Sequence, residues 1–216
     1  MHATDTVPAR CSHARAAGHA RRSAAVITAA LALAALAAAV ALPAAARSRR
    51  HPRVASDCGA ADTPATSAPI PVLRAAVVCL INGQRTSRGL PPLRASARLD
   101  RSAQAWSNVM VGSGYFGHGG DLGPRISATG FRWSIAGENI ASGYLTARQV
   151  VHAWIGSVDH CHNILDPEWD TVGTGVNRHP IRGTLIRHAT WTQDFALALD
   201  QPPPSGDWGP YRGCPY

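Results

Sequence analysis

The sequence has 216 residues, 21 basic and 13 acidic, with a formal net charge of +8. Every basic residue is an arginine, and eight of them precede Val54; from there on 13 arginines face 12 acids. The part that folds is therefore almost neutral, and its charge gives no support to nucleic-acid binding.

Residues 1–46 read as a secretory signal. Arg10, Arg15, Arg21 and Arg22 precede an uncharged run from Ala24 to Leu42, and Ala44-Ala45-Ala46 offers a small-residue cleavage site. The rival reading is a membrane anchor, since the run approaches the ~20 residues that span a bilayer. Cleavage after Ala46 implies a secreted protein beginning near Arg47, touching a membrane only through the leader. Cys11 leaves with that leader. Cys58, Cys79, Cys161 and Cys214 stay, an even number suited to an oxidising compartment.

Residues 47–71 are rich in Ala, Pro, Ser, Thr and Arg and read as an extended linker. Residues 72–200 read as one domain. Pro71 is placed to start a helix that presents Val72, Ala75, Ala76, Cys79, Leu80 and Gly83 and ends near Ser87. A second helix, about Ala97 to Val111, carries Leu99, Ala103, Trp106 and Met110 on one face. Gly112 to Gly123 is a glycine-rich loop bearing Tyr115-Phe116-Gly117-His118; without Gly-Lys-Ser/Thr it is not a phosphate loop. A short helix is expected near Pro124–Thr129, then an extended segment from Ile135 to Ser142. Thr146 and Gln149 form a capping box that opens a helix running to Leu165. Thr171–Val176 and Leu185–Phe195 read as two antiparallel strands joined near His179–Gly183. Residues 201–216 form an irregular tail.

Glu138 is one of two glutamates, and no other charge lies between Trp133 and Ala147. A carboxylate in so apolar a stretch needs donors, a cation or a metal once buried. On a continuous helix Ser157, His160 and Ile164 share one face, while His162 points elsewhere. His160 can then reach a cavity edge beside Trp154.

Several motifs occur in one order. Cys79-Leu80-Ile81-Asn82 precedes Tyr115-Phe116-Gly117-His118. Gly137-Glu138-Asn139-Ile140 and Trp154-x-x-Ser157-x-x-His160-x-x-Asn163-Ile164-Leu165 follow. Val172-Gly173-x-Gly175-Val176 and Trp191-Thr192-Gln193-Asp194-Phe195 close the series. The series resembles the CAP superfamily of cysteine-rich secretory, antigen 5 and pathogenesis-related 1 proteins, in its bacterial SCP-domain branch. The resemblance implies an α+β fold, a three-layer α-β-α sandwich with a central antiparallel sheet. It also implies a cavity lined by His118, Glu138 and His160. Ser157 stands where many relatives carry a second glutamate.

Through His118 and His160 such a cavity is expected to hold zinc or another divalent ion. The expected partner is an unidentified lipid, cell-envelope or protein ligand. A secreted binding or interaction module is thus the leading expectation. The alternative is a metal-dependent hydrolase of extracellular or cell-wall substrates, although His-Glu-x-x-His and Gly-x-Ser-x-Gly are both missing. Of the three possible disulfide connectivities, Cys79–Cys161 with Cys58–Cys214 is the expected one, since the first would tie the first helix to the cavity helix.

Overall fold

The computed structural model describes residues 58–202 and 213–214. The expected signal peptide, residues 47–57 of the expected linker and most of the tail lie outside the described residues. A 3-10 turn, Gly59–Asp62, leads into α1 (Ile70–Thr86), β1 (Arg94–Ala95), α2 (Ala97–Ser113) and α3 (Leu122–Ala128). Then come β2 (Trp133–Tyr144), α4 (Ala147–Ile155), α5 (Val158–Leu165), β3 (Thr171–Asn177) and β4 (Ala189–Ala198). The sheet order is β1-β3-β4-β2; β3 and β2 pair antiparallel with β4, and short β1 adds a parallel edge to β3.

Helices cover both faces of this sheet. Strand alternation sends Val172, Val176, Trp191 and Phe195 into one core shared with α1, α4 and α5. The opposite face carries Thr192, Asp194 and Ala196 toward α2. Ser107 Oγ donates to Thr192 Oγ1 at 2.8 Å, and Ala196 joins Leu99 and Ile126 in a smaller cluster. Gly173 and Gly175 let α2 lie directly on β3: a Cβ at either would come within 2.2 Å of α2 backbone at Leu99 or Ala103. Gln104 then bonds the Val176 main chain, its Nε2 donating to the carbonyl and its Oε1 accepting from the N–H.

Four sequence expectations need correction. Residues 58–69, assigned to a linker, are folded: Ala61, Ala65 and Ala68 are buried in the main core. The helix from Thr146 does not reach Leu165. Thr146 caps α4 through Gln149 N, but the chain breaks at Gly156, and Ser157 is extended before α5 starts. Glycine is a poor helix former, and Ser157 takes an extended backbone conformation without a side-chain capping bond, so the helix ends and α5 starts anew. The last strand begins at Ala189, leaving 185–188 exposed in a loop.

The disulfides are Cys58–Cys79 and Cys161–Cys214, not the expected pairing. The buried face of α1 is Leu73, Ala76, Val77, Leu80 and Ile81, which leaves Cys79 on the exposed flank, within reach of Cys58. Cys161 is wholly buried and takes Cys214 of the tail.

Arg85, also fully buried, anchors the cavity helix. Its guanidinium donates to the carbonyls of Pro91, Ile164 and Asp166, closing the C-terminal end of α5. Burial lowers its pKa to about 10, and the Asp166 carboxylate opposes the shift.

Candidate functional site

The site straddles the outer edge of β2. Between Ile135 and Ala141 the odd-numbered residues of that strand face the α5 side. Asn139 Nδ2 donates to the His160 carbonyl, and Asn163 Nδ2 donates to Asn139 Oδ1 and to the Glu138 carbonyl. Trp154 Nε1 donates to the Ile140 carbonyl. The even-numbered residues from Ala136 to Ile140 face α2 and α3, so Glu138 points to the layer opposite His160.

The histidine loop is folded onto α2. Trp106 Nε1 donates to the Gly117 carbonyl at 3.0 Å. Gly119 has φ +78°, and a Cβ there would overlap the Trp106 ring at 2.4 Å. This packing brings His118 Nδ1 to within 2.8 Å of Glu138 Oε1. The Glu138 side chain is 2% exposed and that of His118 56%. The second Glu138 oxygen accepts from Arg125 of α3. Arg125 also donates to Asp121 and to the His118 carbonyl, and lies 4.1 Å over the Trp106 ring.

Behind Glu138 stands Asp194, its register partner on β4. Asp194 is fully buried, and neither of its oxygens makes a hydrogen bond among the described residues. The Ser102 hydroxyl and the Glu138 carboxyl sit beside it without the alignment of a full bond. Burial, and next the adjoining Glu138 charge, push the Asp194 carboxyl up to about 8, against the pull of Ser102 and Arg125. Two like charges so close in a dry site do not both ionise at neutral pH, so the pair holds a proton.

His118, Ser157 and His160 line one cavity of about 490 Å³, together with Phe116, Ile140 and Trp154. Glu138 is not on that wall. It underlies His118 and faces a smaller neighbouring depression of about 380 Å³. His160 is half-buried. Burial lowers its pKa below the ordinary 6.5 and the nearby His118 adds to that, while Asp159 opposes it. Ser157 contributes as the residue before α5, with its carbonyl accepting from Cys161 N. His162, which helical spacing turns away from Ser157 and His160, is half-buried. Among the described residues no group of three or more His, Cys, Asp or Glu side chains is arranged to hold a metal.

Three members of the cluster escaped the sequence reading. Trp106 stood out only as core stripe, and Asp194 only within a motif. Arg125 carried no motif at all; its one signal was being the sole charge between Asp121 and Arg132.

The profile of the CAP cysteine-rich secretory protein family matches residues 78–195. The chain belongs to that family. The uncharacterized protein YkwD of Bacillus subtilis is similar to this CAP domain, 36% identical over 136 residues covering 60% of this chain and 50% of YkwD. A solved extracellular SCP-domain protein from Bacillus anthracis shares the fold, with 22% identity and TM-score 0.50, covering 60% of this chain and 44% of that one. An outer surface protein of Borrelia burgdorferi is similar at 20% identity and TM-score 0.48, covering 55% of this chain and 86% of that one. The CAP chain thus spans about half the length of the curated relative it matches. The relatives are bacterial, and two are described as extracellular or outer-surface proteins. Disulfides of the kind this CAP domain carries form and persist in oxidising compartments.

Proposed function

We propose that the protein is secreted and works as a binding module, with His118 and His160 as the recognition pair of the 490 Å³ cavity. The observation that supports this most is the Glu138 bond to His118 Nδ1 at 2.8 Å. A carboxylate on one ring nitrogen fixes the tautomer and leaves Nε2 for a ligand. His160 has its acidity shifted toward the neutral, ligating form. Imidazoles with a carboxylate behind one of them suit zinc or a similar divalent ion. With two histidines on the wall, water or an incoming ligand would fill the other positions. Glu138 is engaged by both Arg125 and His118, so it is not a free general base. That favours holding a ligand over hydrolysing one.

Calorimetry with zinc tests the reading. Wild type is expected to bind at neutral pH, and the His118→Ala, His160→Ala double variant is not. Glu138→Ala should weaken binding by about 10–100-fold through the loss of the orienting acceptor. Binding should fade as pH falls through the lowered pKa of His160, because protons then compete for its imidazole. Equal heats from wild type and the double variant, or no heat from either, would sink the proposal.

A further inference from the structure

The loop between β3 and β4 differs in character from the rest of the surface. Residues 182–188 are all exposed, and Leu185 is 100% exposed, unlike any other large apolar residue described. Its tip is nonetheless built. Ile181 is buried beside Trp106 and Met110, Thr184 Oγ1 donates to the Ile181 carbonyl, and Ile186 N donates to Thr184 Oγ1. Arg182 N donates to the Val111 carbonyl at 3.3 Å, so the loop rests on the end of α2. That end continues into Tyr115 and Phe116, both exposed. On its other side Ile186 approaches Gly143 of β2. Four of the eight exposed large apolar residues described, Tyr115, Phe116, Leu185 and Ile186, therefore come from two adjoining loops.

The charge around this tip has one sign. Between Asp170 and Asp194 the chain has Arg178, Arg182 and Arg187 and no acid. Arg182 and Arg187 flank the apolar pair, and neither forms an ion pair among the described residues. A fully exposed leucine and a partly exposed isoleucine between free cations match an interface that is apolar inside and anionic at its surface. A second copy of the same cationic tip would be repelled, and a soluble polyanion would leave Leu185 in water.

We propose that this loop docks the domain on an anionic lipid bilayer, with Leu185 entering the acyl region and Arg182 and Arg187 meeting headgroup phosphates. The proposal goes beyond the histidine cavity and does not depend on it.

Leu185→Trp in the full chain, read as a fluorescence difference from wild type, reports this loop alone, whatever the N-terminal segment does. With equimolar phosphatidylglycerol–phosphatidylcholine vesicles the introduced indole is expected to shift blue and to be quenched by brominated acyl chains. Phosphatidylcholine vesicles should give no shift, and added salt should reverse the effect. Replacing Arg182 and Arg187 by Gln in that background should weaken partitioning by roughly fivefold per arginine. Unchanged emission with anionic vesicles would overturn the proposal. So would partitioning insensitive to the arginines, or the same shift with soluble glycerol phosphate.

Discussion

Glu138 is held by the Arg125 cation as well as by His118. Its lone charge in an apolar strand made the need for a partner legible in the sequence. The partner was not, because Arg125 lies 13 positions away on a seven-residue helix and only the folded sheet brings them together. Asp194 adds a second carboxyl that strand alternation places beside the first. In the folded state its pKa is raised to about 8, above the ~3.9 of an unfolded aspartate. The native state therefore holds the extra proton across that window, and stability falls as pH rises from ~4 toward ~8. Asp194→Asn keeps the shape and removes the titration. Urea unfolding at pH 5 and pH 8 should show a stability loss in wild type and a flatter profile in the variant. An equal slope in both would count against the shared proton.

At the scale of elements, the seam between α2 and β3 is set by two missing side chains. Gly173→Ala would drive a Cβ into Leu99 backbone at 2.2 Å, and backbone does not yield as a flexible side chain would. Overpacking of this kind typically costs 1–3 kcal/mol, so a loss of about 3 kcal/mol is expected in chemical denaturation. Gly112→Ala on the same helix meets nothing within 4 Å and should be neutral or mildly stabilising. Equal stabilities for the two variants would refute the close-approach account. Most of these elements were readable from periodicity and caps: α2 buries Leu99, Ala103, Trp106 and Met110 as its spacing predicts. The break at Gly156 was not, because the apolar spacing continues across it and only the local propensities of Gly156 and Ser157 oppose helix. Two-residue β1 escaped too, since its pairing depends on β3, far away in sequence.

For the whole molecule, the two disulfides pin opposite ends to the body of the domain. Cys58–Cys79 closes a span of 21 residues and Cys161–Cys214 a span of 53. Loop-closure entropy puts their contributions at about 3 and about 4 kcal/mol. Paired Cys→Ser variants should lose stability in that order, and peptide mapping of oxidised protein should recover those two linked peptides. A Cys79–Cys161 peptide would contradict the structure. Cysteine count predicted two bridges, but connectivity depended on a rotation of α1. Counting Val72 and Cys79 into the buried face turned that helix by about one position and aimed Cys79 at the wrong partner.

The long strand β2 forms one margin of the sheet. Ordinarily a 12-residue strand on the margin of a sheet exposes a ladder on which another chain could polymerise. Here the Glu138 and Ile140 carbonyls are already occupied by Asn163 and Trp154. Those side chains from α4 and α5 act as stoppers, interrupting the ladder at its centre. The residues that seat the cavity helices thus also guard against fibrous self-association.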